Sequence, residues 1–180
     1  MALTATIYNF DVDLADMDRH VYESLALRVA RHPSESEEYL VARLFAYLLE
    51  FTQGIEFSRG VSTPEEPAIA VRDLTGALIA WIDIGTPDAE RLHKASKSAA
   101  RVAVYTHKDP AQWLKQLAGR KIHNADALEL YAIDRGLVSA LVSRLERRIA
   151  LTVAVSAREL SVSIGADTLT GSVVRLTRAV

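Results

Sequence analysis

The sequence predicts a mixed α/β (α+β) protein with two sheets, and three observations carry that prediction. Both ends of the chain show half-polar alternation of period two. The middle alternates strand-like and helix-like runs. Between them lies one strongly apolar helix. With 180 residues, 49% of them hydrophobic, the chain reads as a single domain over 1–180 with enough core to fold without staples. Lys plus Arg number 21 and Asp plus Glu 23, a net charge of −2. That balance excludes a strongly basic coat for nucleic acid but not a local basic groove. The chain has no cysteine, which excludes disulfides, thiolate metal sites and cysteine nucleophiles. The first residues lack a basic stretch followed by an apolar one, and no apolar run reaches the ~20 residues a bilayer requires. A soluble cytoplasmic protein with no membrane association is the expectation.

Tyr8, Phe10, Val12 and Leu14 alternate with Asn9, Asp11 and Asp13, the pattern of a strand with one wet face. Asp16 and Asp18 are candidate caps for a following helix with Val21, Leu25 and Val29 on its inner stripe, ended by His32-Pro33. Ser34-Glu35-Ser36-Glu37 opens a second helix as a capping box. Leu40, Val41, Leu44, Phe45, Leu48 and Leu49 give that helix a wide apolar stripe, closed by Gln53-Gly54. A short strand is expected over 55–58, then a polar stretch over 60–67. A hairpin follows, with arms 69–72 and 77–84 around the turn Asp73-Leu74-Thr75-Gly76. A helix to about Ala99, a strand over 102–106 and a short helix to Leu117 come next. A strand over 127–133 precedes a helix predicted to run through Arg148. Strands near 151–155, 160–164 and 173–177 complete the chain. These and the N-terminal strand are expected in one antiparallel sheet, and the middle elements in a second, mixed sheet.

The common catalytic signatures are absent: no P-loop, GxGxxG, HExxH or GxSxG occurs, and the five histidines lack metal spacing. Chemistry must then rest on carboxylates, lysines and hydroxyls. Asp83 stands out, placed on one strand face with Ile79 and Trp81. Such an acid needs an ion, a hydrogen-bond partner or a metal. If the hairpin turns between Leu74 and Thr75, Asp83 faces Glu66, and two facing carboxylates would form a site for Mg²⁺ or Mn²⁺. Asp73 is a second candidate for that partner. Glu35 and Glu38 lie at the start of the strongest helix, and Lys94 lies on the helix after Asp83. Each has a plainer reading. Asp83 caps the next helix or pairs with an arginine, Glu35 and Glu38 favour a helix dipole, Asp73 shapes its turn, and Lys94 is solvated.

Several segments together resemble the YaeQ family of bacterial proteins, and the resemblance covers essentially the whole chain. They are His32-Pro33-Ser34-Glu35 with its helix, the run Phe57 to Thr63, Glu66-Pro67, Asp73-Leu74-Thr75-Gly76, Trp81-Ile82-Asp83-Ile84-Gly85 and Val104-Tyr105. The resemblance implies a PD-(D/E)xK nuclease-like core (helix, three-strand meander, helix, strand), here with the additional antiparallel sheet. It implies that Asp83 matches the acid of (D/E)xK and that Glu38 matches a helix glutamate. Two departures stand against activity. Pro67-Ala68 replaces Pro-Asp, and Gly85 replaces the lysine, leaving Lys94 as a migrated substitute. The implied function is a Mg²⁺- or Mn²⁺-dependent nuclease acting on nucleic-acid phosphodiesters. In it, Glu66 or Asp73 and Asp83 would hold metal, Glu38 would position metal or water, and Lys94 would stabilise the attacked phosphate, with Arg91, Lys97 and Arg101 on the backbone. The alternative is a nuclease-fold binding or regulatory module without catalysis.

Overall fold

The computed structural model describes residues 4–59 and 64–178. Within them the chain forms a mixed α+β structure of ten strands and four helices. The strands are β1 (Thr6–Asp16), β2 (Val21–Arg31), β3 (Ile55–Phe57), β4 (Ile69–Arg72), β5 (Leu78–Ile84), β6 (Arg101–Thr106), β7 (Glu129–Ile133), β8 (Arg148–Ser156), β9 (Glu159–Ile164) and β10 (Asp167–Leu176). The helices are α1 (Glu37–Leu49), α2 (Ala89–Ser98), α3 (Pro110–Leu117) and α4 (Arg135–Val142). The Gly60–Thr63 part of the polar stretch, and of the Phe57–Thr63 run, lies outside the described residues.

The helix expected after Asp16 is instead a strand. β2 pairs antiparallel with β1 along its whole length, from Thr6↔Arg31 to Asp16↔Val21. Val21, Leu25 and Val29 satisfy both a four-residue and a two-residue period. Leu27, also turned inward, decides for the strand. The two aspartates cap other things. Asp16 accepts from the backbone and guanidinium of Arg19, and Asp18 accepts the amides of Ala157 and Arg158.

The two expected sheets are one. Its order is β2-β1-β8-β9-β10-β7-β6-β5-β4-β3. β10 begins earlier than expected and serves both halves, pairing with β9 over Asp167–Ser172 and with β7 over Val173–Leu176. Nor is the terminal half wholly antiparallel, because β8 lies parallel to β1 from Asn9↔Arg148 onward. That pairing takes Arg148 into β8, so α4 ends at Val142 and not at Arg148.

Helix α1 lies in the main core against one sheet face, with Phe10, Ile82 and Val153 from distant strands in the same cluster. It is buried on every side from Leu40 to Leu48, as a helix apolar all round must be. Ser36 caps it, accepting from the Tyr39 amide; the expected capping box of Ser34 and Glu37 does not form, because the helix starts only at Glu37 and Ser34 is turned to His32. On the other face of β5 and β6, α2 and α3 bury Leu92, Ala95, Trp113 and Leu117 against Trp81 and Val104.

Gly171 lies just before β10 passes from β9 to β7. A Cβ there would come within 2.7 Å of the Leu137 side chain and 2.9 Å of that of Asp134, so α4 sits directly on this strand. Gly171→Ala is expected to lower unfolding free energy by about 1–3 kcal/mol, read from the urea midpoint at unchanged m-value.

Candidate functional site

A cavity of 540 Å³ opens where the C-terminal end of β5 meets the starts of α1 and α2. Asp83 is the penultimate residue of β5 and is 2% exposed. It shares a sheet face with Trp81 and so looks toward α2. Asp88 caps α2 by accepting the Arg91 amide at 2.8 Å, which fixes Arg91 one turn into the helix. From there its guanidinium forks onto Asp83, Nε to Oδ2 at 2.7 Å and Nη2 to Oδ1 at 2.9 Å. It also donates to the carbonyls of Pro64 and Glu66 at 2.9 and 3.0 Å, and lies 5.4 Å from the Trp81 ring centroid. Such a bidentate pair is the strong form of charge-assisted hydrogen bond. The Asp83 hydrogen bonds, opposed by burial, raise the Arg91 pKa above its ordinary value.

The expected facing of Asp83 and Glu66 does not occur. Arg72 pairs with Leu78, and a bulge between Val71 and Arg72 adds a further residue, so Ile69 meets Ile82. Continued one step, that register sets Ala68 opposite Asp83, and the Ala68 amide donates to Asp83 Oδ1 at 3.3 Å. Glu66 still lines the cavity, but its carbonyl is what holds Arg91. Asp73 lies at the other end of the β4–β5 hairpin, where Oδ1 accepts from Thr75 and Ala77. Those bonds hold its carboxyl below the usual range. Glu38 is exposed and does not line the cavity. Lys94 pairs with Glu65, Lys97 is exposed, and Arg101 binds Glu50 and Glu129 elsewhere. Of the candidate acids, the cavity thus collects Glu35, Glu66 and Asp83.

Glu35 is 5% exposed. Its Oε2 accepts from the His32 amide at 3.1 Å and faces Arg43 Nη2 at 3.5 Å, while Oε1 is buried without a partner. Arg43, the one charge inside the apolar stretch of α1, is 2% exposed and donates to the Ala30 carbonyl at 2.6 Å. Arg43 is not among the residues expected from the sequence, although a charge in an otherwise apolar run is a signal that could have pointed to this site. Its guanidinium stands 5.8 Å from the ring centroids of both Tyr39 and Phe57. Burial pushes the Tyr39 phenol up to about 12, against the pull of Arg43. His107 packs edge-on to Tyr39 with Nδ1 buried and unpartnered, and burial, then Lys108, lowers its pKa.

A divalent ion does not fit this donor set as it stands. Both Asp83 oxygens are taken by Arg91, and no cluster of three His, Asp or Glu among the described residues is placed to hold a metal. No helix among them is long and apolar enough to cross a membrane.

Fold and site together define a class: proteins with an enclosed helix, a single long mixed sheet and a polar cleft closed by an internal arginine–carboxylate pair. The chain belongs to the YaeQ family, whose model, described as "YaeQ protein", matches residues 1–173. It is 36% identical over 148 residues to the uncharacterised protein YaeQ of Escherichia coli (strain K12), covering 80% of this chain and 82% of that one. Its likeness to the Salmonella typhi protein of the same description is 34% over 153 residues, 84% of each. Among solved structures, YaeQ from Pseudomonas syringae superposes with a TM-score of 0.87 at 29% identity, over 96% of both chains. YaeQ from Xanthomonas axonopodis pv. citri gives 0.86 at 30%, over 98% of this chain and 100% of that one.

Arg91→Met leaves the Asp83 carboxylate buried without its counter-ion, and is expected to cost about 3 kcal/mol, the low end for a broken buried pair because Arg91 is itself partly exposed. Adding Asp83→Asn should restore most of that loss, a coupling that urea denaturation of the two single variants and the double variant measures. The raised Tyr39 phenol keeps its proton in the folded chain while the unfolded phenol, near 10, loses it. Stability should therefore fall as pH rises from about 10 to about 12. In Tyr39→Phe the phenolate absorbance step near pH 12 should shrink.

Proposed function

We propose that the chain is a nuclease-fold module that binds phosphate-bearing strands in the α1–α2 cleft without cutting them. The order α1, β3–β4–β5 meander, α2, β6 supports a PD-(D/E)xK-like core. In that core β5 lies between an antiparallel and a parallel neighbour. The observation that carries the reading is the Asp83–Arg91 fork. At the acid of the (D/E)xK position the chain provides its own cation, bonded to both oxygens, where a nuclease needs a metal ion.

Two neighbouring positions agree with it. Ala68 stands across from Asp83 where a second carboxylate would be required, and its amide is spent on Asp83. Gly85 has φ 89°, a left-handed conformation that disfavours a lysine. The lysine slot is therefore closed by backbone geometry as well as by residue type. Binding rests on Lys108 and His107 at the cleft wall beside Arg43 and Arg91. Lys108 is exposed and forms no ion pair among the described residues.

The test is oligonucleotide binding and cleavage with Mn²⁺ or Mg²⁺ and with EDTA. Binding is expected to be indifferent to EDTA, to weaken with salt, and to leave the strand intact. Lys108→Ala should reduce the slope of log K against log salt by about one. Products that need Mn²⁺ and vanish in Asp83→Ala would replace this reading with the metal-dependent phosphodiesterase. Absence of any strand binding would end it.

A further inference from the structure

At the far end of α1, about 20 Å along its axis from the cleft, lies a second cavity of 410 Å³. One wall is a locked aromatic pair. The Tyr105 and Tyr131 rings stack at 4.8 Å between centroids and 17° between planes. Tyr105 donates its hydroxyl hydrogen to Glu50 at 2.6 Å and Tyr131 to Glu129 at 3.0 Å. Arg101 bridges those two glutamates. The polar atoms of this wall are satisfied by one another, so the rings are held rigid; both are buried, and the outer face of Tyr131 is the one that Arg158 covers. Leu49, Val155 and Val173 add apolar surface.

Over this wall hangs Arg158, its guanidinium carbon 5.6 Å from the Tyr131 ring centroid. It sits in the β8–β9 turn, where Ala157 and Arg158 have φ of 49° and 61°. That is left-handed backbone usually left to glycine or asparagine. Asp18 holds the turn by accepting both amides, at 2.7 and 2.9 Å, so its carboxylate is committed to backbone. Arg175 stands just outside the cavity lining, directly across from Tyr131 in the β7–β10 ladder. Both arginines are exposed, and neither forms an ion pair among the described residues.

We propose that this cavity binds a nucleoside monophosphate. The exposed Arg158 side chain swings off the outer face of the Tyr131 ring, the base takes its place against that ring, and the phosphate takes the forks of Arg158 and Arg175. Stacking on a tyrosine face tolerates any base. A guanidinium also matches phosphate geometry with two parallel N–H donors. A bare anion would leave the aromatic and apolar wall unused, and a neutral apolar ligand would desolvate the arginines without pairing them. The cavity has the size of ordinary small-molecule sites.

Thermal shift and calorimetric titration of the full chain with AMP, GMP, CMP, UMP, adenosine and inorganic phosphate test this. At least one monophosphate should raise Tm, with adenosine and inorganic phosphate each doing far less. Arg158→Gly should weaken that monophosphate at least tenfold while its own Tm stays level or rises, since glycine accepts φ near +60°. Arg175→Ala should weaken it as well. Lys108→Glu, which alters only the cleft, should leave it bound, so failure here and failure of the cleft reading are told apart. No response to any monophosphate, inorganic phosphate matching all of them, or unchanged affinity in Arg158→Gly would overturn the proposal.

Discussion

The architecture depends on hiding one helix. α1 presents apolar side chains in every direction from Leu40 to Leu48, with Arg43 the exception. A helix of that kind has no face to give to water, and burying it is worth more than any single polar contact described above. The sheet meets this demand with its terminal half as well as its middle half. Phe10, Leu151 and Val162 come from one, Ile69, Ile82 and Tyr105 from the other, and all join the same core as α1. Small residues at Ala42 and Ala46, both fully buried, let neighbours approach the helix closely.

Because the helix body is enclosed, the polar business gathers at its ends. At the N-terminal end, Glu35 and Arg43 meet the Asp83–Arg91 fork. At the C-terminal end, Glu50 closes the helix and receives Tyr105 and Arg101. In both places a carboxylate with little solvent access is paired with a guanidinium. Isolated, each acid would be costly in such surroundings; forked, each becomes rigid structure. The difference lies in what remains uncommitted. At the cleft, Glu35 Oε1, Arg43 Nε and His107 Nδ1 are buried without partners, whereas the network around Arg101 is complete and the free charges stand outside it.

Much of this was legible in the sequence, and the failures have specific causes. The stripe of α1, the meander, α2, β6 and the C-terminal strands follow from local periodicity and turn residues, which act over a few positions. β2 was missed because Val21, Leu25 and Val29 satisfy two periods and only Leu27 separates them. Joining the halves into one sheet depends on β10 changing partners at a close contact with α4, a long-range fact that no local pattern carries. At the site, Asp83 was identified from its cost among apolar neighbours, and pairing with an arginine was one of its two plainer readings. Glu66 was misplaced by a bulge and a longer turn, since a shift of two residues moves the facing position while keeping the same side of the sheet. Arg91 was noticed as a charge in the right region, but its reach back to Asp83 is set by the angle of α2, which the sequence does not state.

The shared strand has a mechanical consequence. β10 gives its first six residues to β9 and its last four to β7. Neither half of the sheet can peel away without stripping a strand from the other, and the same helix fills the interior of both. The two ends of the chain are therefore bound into one cooperative unit. Local openings should be confined to turns and to the outer edges at β2 and β3, while the middle of the sheet exchanges its amides only through loss of the whole structure.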